Sequence, residues 1–247
     1  ERRDWVIFLP QEKTNSASTV KQMIYPGDRL FIRILKAEDK LELWFSKSGK
    51  PYELYNTWTI CAWSGGFGPK KAEGDGKSPE GFYATTKALL NPNSRYHRAF
   101  NIGYPNDYDR ANGYTGSFIM VHGNCVSAGC FAMTDAGIDE IYNLVAQALN
   151  SGQKTIPLYI FPFSMTEQNM QRAAMWPEYT FWRSLKPAYD YFEKYHRLPE
   201  GKRREKNEVG HRLSFRRKKM RQKCRIAHYP RSASFTCIAK SNECRRA

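Results

Sequence analysis

Val121-His122-Gly123-Asn124-Cys125-Val126-Ser127-Ala128-Gly129-Cys130-Phe131-Ala132-Met133-Thr134-Asp135 stands where the chain changes character. Before it, residues 118–121 form a short apolar strand candidate. After it, Ile138, Ile141, Tyr142, Val145 and Leu149 recur at spacings of three and four, the pattern of an amphipathic helix starting near Asp135. Thr134 or Asp135 offers an N-cap, and Gly152 follows the helix end. Upstream, residues 30–36 and 41–46 read as strands joined by the turn 37–40. In the second, Leu41, Leu43 and Phe45 alternate with Glu42, Trp44 and Ser46, which predicts a half-buried strand. A third strand is expected around 58–63, with others at 82–86, 98–103, 117–122 and 155–161. A second helix is expected near 178–195, with Pro187 as a kink or a break. Strands dominate the first 120 residues and helices follow, so the fold class is α+β.

Composition narrows the function classes. The 247 residues are 41% hydrophobic, enough for a core, and contain no apolar run long enough for a transmembrane segment. The net charge of +15 is unevenly placed. Residues 201–247 carry 16 Lys/Arg against 3 Glu, whereas residues 1–200 carry 23 Lys/Arg against 21 Asp/Glu. The globular part is close to neutral and the basicity belongs to a tail, which argues against a specific nucleic-acid partner. The expected organisation is an N-terminal leader or linker over 1–27, a catalytic domain over 28–200, and a basic, disordered tail over 201–247. No secretory signal pattern opens the chain, which reads as a mature or trimmed form. The six cysteines are too few for a disulfide scaffold and include no CxxC pair. Cys224, Cys237 and Cys244 in the tail match no metal motif.

The chemistry is concentrated between His122 and Cys130. A nucleophilic thiolate needs a base, a tight backbone and donors aimed at a developing oxyanion. His122 can take the thiol proton and return it to a leaving amine. Pairing with a histidine also lowers a thiol pKa from about 8.5. Gly129 lets a substrate carbonyl approach the main chain, and the N–H groups near Gly129 and Cys130 offer an oxyanion hole. Two other readings stand beside this one. Cys130 and His122 can be packed core residues, or His122, Cys125 and Cys130 can be three zinc ligands at an unusual spacing.

The pattern His122-Gly123-x-x-x-Ser127-x-Gly129-Cys130 resembles the active-site signature of the L,D-transpeptidase (YkuD-type) catalytic domain, and its surroundings resemble the YafK-like subgroup. The matching stretches are 60–70, 77–83, 101–106, 108–111, 132–135 and 186–193, collinear over roughly residues 24–199. The resemblance implies a β-rich catalytic domain with C-terminal helices, followed here by the basic tail. It implies a periplasmic enzyme of cell-wall biogenesis with Cys130 as nucleophile, His122 as general base, and Gly123, Ser127 and Gly129 in support. The implied partners are peptidoglycan stem peptides bearing diaminopimelate, a wall-anchored lipoprotein, and carbapenem-type inhibitors. No metal or organic cofactor is called for. The implied reaction is transpeptidation through a thioester, forming crosslinks. The alternatives are hydrolysis of the lipoprotein–wall bond by the same thioester chemistry and a non-catalytic wall-binding module. Most of the family carries an Arg two positions after the Cys, where this chain has Ala132. Arg110 is the expected substitute in substrate binding, together with Tyr104, the other reading of Arg110 being an ion pair with a neighbouring Asp. Loops 65–76 and 101–110 are expected to wall the substrate groove. Cys125, which also recurs in the subgroup, is expected to be either a packed small residue or a redox guard that pairs with Cys130.

Overall fold

A computed structural model describes residues 23–199. The expected basic tail with its three cysteines, and most of the expected leader, lie outside the described residues. Strands β1 (Arg29–Leu35) and β2 (Lys40–Ser46) form a hairpin in the register Arg29↔Ser46 to Leu35↔Lys40. They belong to a five-stranded sheet in the order β3-β2-β1-β9-β4, completed by β3 (Glu53–Thr59), β4 (Gly81–Thr85) and β9 (Ile156–Phe161). Within it only β1 and β9 run parallel. A four-stranded sheet takes the order β5-β6-β7-β8, with β5 (Leu90–Ser94), β6 (His97–Asn101), β7 (Met120–His122) and β8 (Phe131–Ala132). Its last pair, β7 and β8, is parallel. The helices are α1 (Asp107–Ala111), α2 (Asp135–Asn150), α3 (Glu167–Arg172) and α4 (Tyr179–Tyr195).

The main core brings Leu30, Ile32 and Ile34 of β1 and Leu41, Leu43 and Phe45 of β2 together with Phe100, Val121 and Phe131 of the second sheet and Ile138, Ile141 and Val145 of α2. Each such side chain removed from water contributes roughly 1.5–3 kcal/mol. The opposite face of the first sheet is covered by α4. Phe31 and Trp44 pack on Phe192, while Phe161 joins Trp182 and Tyr189. This second layer corrects the expectation of a half-buried β2. Residues 41–46 are all buried, because Trp44 faces α4 and Glu42 is consumed by Arg33 at 2.7 Å.

The third strand lies earlier than expected, at Glu53–Thr59. The apolar residues after it leave the sheet: the Ile60 N–H turns to Asp39 O, and Ala62 bridges to Ala132 in the other sheet. That crossing carries the chain from one sheet to the edge of the other. Pro187 does not break α4. It removes one helical donor, but Trp182, Leu185, Ala188, Tyr189 and Phe192 form one buried stripe that holds both halves. Thr134 is the N-cap of α2, accepting the Gly137 N–H at 3.1 Å.

Candidate active site

Cys130 directly precedes β8, and its register continues that of the parallel pair Val121↔Phe131 and His122↔Ala132. Cys130 therefore stands opposite Met120, two residues before His122 on β7. Cys130 lies two residues before Ala132, the register partner of His122. The Met120 N–H points at Cys130 Sγ at 3.4 Å, and the thiol donates towards Phe118 O at 3.6 Å.

The carbonyl of Cys130 is pinned from two directions. Ser127 Oγ donates to Cys130 O at 2.7 Å, and Ser78 Oγ donates to it at 3.1 Å. Gly129 supplies the turn that permits this, with φ +110°, where a side chain would be strained. Among the described residues, the N–H groups of Gly129 and Cys130 have no acceptor within the chain. Gly123 is closely packed: a Cβ there would lie 2.6 Å from Asp135 Oδ1, the atom that accepts the Asn124 N–H.

His122 is buried. Its Nδ1 lies 2.7 Å from Gly123 O, and its ring packs against Tyr96 at 4.9 Å. A carbonyl only accepts, so the proton is assigned to Nδ1, which leaves Nε2 with its lone pair. Burial pushes the imidazole pKa below its ordinary value, partly offset by the Gly123 carbonyl. Burial pushes the Cys130 thiol up, against smaller downward contributions from the Met120 N–H and the Lys70 ammonium. The expectation of a thiol depressed by a histidine is thus corrected. Both shifts favour the neutral form of the group concerned.

A groove of about 260 Å³ opens beside the thiol. Cys130 and Ala128 line one part, residues 116–119 another, and Lys70, Glu73, Gly74 and Gly76 a third. Of the expected wall 65–76, these last four residues line the groove. Of the other expected wall, 101–110, no residue lines the groove. Tyr104 supports it from behind, donating to the carbonyls of Lys70 at 3.1 Å and Thr115 at 3.2 Å. Arg110 sits on α1, where its exposed guanidinium binds Asp107 Oδ1 at 2.6 Å and the carbonyl of Pro105. That is the ion-pair arrangement weighed beside its substrate role. Ala132 is fully buried in β8, bridged to Ala62.

Three features escaped the sequence reading. Cys125 is joined to Cys61 by a disulfide, with Cα atoms 5.0 Å apart, so it is neither a guard for Cys130, nor a lone packed residue, nor a zinc ligand. Cys130 is the free cysteine among the described residues. Ser78 reaches the nucleophile from the loop before β4. It is held there by a buried pair, Lys36 and Glu80 at 2.9 Å, with Lys36 Nζ also donating to Ser78 O at 2.9 Å. Lys70 enters the groove from a glycine-rich loop. The glycines at 65, 66, 68, 74 and 76 signalled a loop, but nothing in the spacing singled out its lysine.

The profile of the YkuD L,D-transpeptidase catalytic domain matches residues 31–160. The curated protein "Putative L,D-transpeptidase YafK" of Escherichia coli (strain K12) is 50% identical over 173 residues, covering 70% of each chain. Among solved structures, the helical cell shape determining protein Pgp2 of Campylobacter jejuni (K307A mutant) aligns at 22% identity with a TM-score of 0.47, over 68% of this chain and 59% of that one. L,D-transpeptidase 1 of Mycobacterium tuberculosis aligns at 14% identity with a TM-score of 0.32, over 54% of this chain and 62% of that one. On the domain match and the 50% identity, the chain belongs to the L,D-transpeptidase (YkuD) catalytic domain family.

Proposed function

We propose that the protein is a cysteine-dependent L,D-transpeptidase that acts on peptidoglycan stem peptides in the periplasm. The observation that carries this reading is the thiol of Cys130 at a groove, with the Cys130 carbonyl held by Ser127 and Ser78 and with His122 on the paired strand, in register with the residue two after Cys130. In the first step His122 Nε2 takes the thiol proton and Sγ attacks the carbonyl at the L-centre of diaminopimelate. The negative oxygen accepts from the N–H groups of Gly129 and Cys130. As the tetrahedral intermediate collapses, the C–N bond breaks, the imidazolium proton goes to the departing amine, and a thioester remains on Cys130. In the second step the amine of another stem peptide attacks the thioester and gives its proton to His122. The thiolate leaves and is reprotonated, and the product is a crosslink. The thiol supplies the covalent intermediate by itself.

Intact-mass spectrometry of the full chain after brief mixing with a stem tetrapeptide tests the first step. The reading expects an adduct on Cys130 equal to the peptide without its terminal residue, absent in Cys130→Ala. No adduct on a thiol that still reacts with iodoacetamide would contradict it.

A further inference from the structure

The loop after β3 carries a cation for which the chemistry above has no use. Lys70 is 4% exposed, yet it lines the groove together with Cys130. Its ammonium has three N–H donors. Two are spent within the loop, on Ala72 O at 2.8 Å and Asp75 Oδ1 at 2.6 Å. Among the described residues, no hydrogen-bond acceptor takes the third, and the ammonium stands 6.0 Å from the centroid of the Tyr104 ring. The loop is built around this arrangement. The Asp75 carboxylate also accepts the N–H groups of Lys71 and Lys77 at 2.9 Å and of Ala72 at 3.0 Å, and its pKa is lowered to about 2. Asp75 therefore stays ionised and holds Lys70 in place. A second charge lines the same groove, the carboxylate-bearing Glu73, fixed through its N–H to Thr115 Oγ1 at 3.1 Å. The guanidinium of Arg110 is bound on α1, and position 132 is a buried alanine.

We infer that Lys70 and Glu73 form the specificity subsite of this enzyme, Lys70 binding the free carboxylate and Glu73 the free ammonium at the D-centre of the diaminopimelate whose L-centre is attacked by Cys130. This rests on the substrate reading proposed above. A cation alone would serve equally for the terminal carboxylate of the leaving residue. The neighbouring Glu73 decides for the D-centre, because the leaving residue's nitrogen is tied up in the scissile bond and offers no ammonium. Charge-assisted hydrogen bonds on both groups would select the zwitterion against its amide or its N-acyl form. They would also fix the distance from the D-centre to the attacked carbonyl.

The test compares acylation rates of Cys130 in the full chain with four stem tetrapeptides: unmodified, amidated at the D-centre carboxylate, N-acetylated at the D-centre amine, and amidated at the terminal residue. The native enzyme should prefer the unmodified peptide over the D-centre amide by roughly tenfold or more. In Lys70→Met that ratio should fall to near one, and in Glu73→Gln the preference over the N-acetyl peptide should fall likewise. A D-centre ratio unchanged in Lys70→Met, with Cys130 still acylated by the unmodified peptide, would overturn the inference. So would a Lys70-dependent preference confined to the terminal carboxylate. If none of the peptides acylates a Cys130 that iodoacetamide still alkylates, the substrate reading itself fails and the inference falls with it.

Discussion

Ser78 Oγ donates to the carbonyl of Cys130 at 3.1 Å, across 52 residues of chain, and accepts the Ser64 N–H at 3.1 Å. The nucleophile is thus braced by its own signature loop through Ser127 and by a distant loop through Ser78. Losing one hydroxyl removes one hydrogen bond, about 1 kcal/mol. Ser127→Ala and Ser78→Ala should each lower the rate of thioester formation roughly five- to tenfold. The double variant, which leaves the carbonyl of Cys130 without either partner, should lose more than the product of the two. Pre-steady-state acylation kinetics read this directly.

Ser78 depends in turn on the buried pair Lys36–Glu80. Glu80 also accepts the Gly68 N–H at 2.8 Å and the Trp182 indole N–H at 2.8 Å. Removing one partner strands the other charge in the interior, at a cost of about 3–5 kcal/mol. Glu80→Gln or Lys36→Met should therefore lower the unfolding free energy by that amount in denaturant titrations. A double replacement by apolar residues should recover part of the loss.

The pH dependence follows from the two shifted groups. The His122 pKa is lowered, so the imidazole keeps its free Nε2 to a more acid pH than ordinary, and the acid limb of the acylation profile should lie below pH 6.5. The Cys130 pKa is raised, so spontaneous alkylation by iodoacetamide should have its midpoint above that of an ordinary thiol. Lys70 lowers the thiol pKa, so Lys70→Met should move that midpoint further up.

The Cys61–Cys125 disulfide links residues 64 apart and ties the sheet crossing to the signature loop. Closing a loop of that size stabilises by about 4 kcal/mol in the chain-entropy account. Reduction, or the double variant Cys61→Ser/Cys125→Ser, should lower the denaturation midpoint accordingly. The Cys130 thiol should remain alkylatable.

The α+β class and the strand-to-helix passage around Cys130 were legible because local patterns carried them. The periodicity of 138–149 and the cap at Thr134 are properties of neighbouring residues. Elements whose cause is distant were not legible. Strand β8 is two residues long and exists through its pairing with β7, while β5 contains Pro92 and survives as an edge strand. Helices α1 and α3 are too short for a periodic signal. Within the site, the expected residues of the signature are adjacent in sequence and fold together. Ser78, Lys70 and Cys61 reach it from the segment between β3 and β4, whose composition marked a loop and a groove wall but not these three side chains. Arg110 was singled out for its charge, but the Asp three residues before it on the same helix claims its guanidinium.

The most direct test of the central claim is mass spectrometry of purified muropeptides incubated with the full chain and with Cys130→Ala. New dimers joined through the L-centre acyl group of diaminopimelate should form only when Cys130 is present. Shortened stems or released lipoprotein remnants without dimers would contradict crosslinking and make the protein a hydrolase on the same thioester. No Cys130-dependent change would contradict the catalytic account altogether.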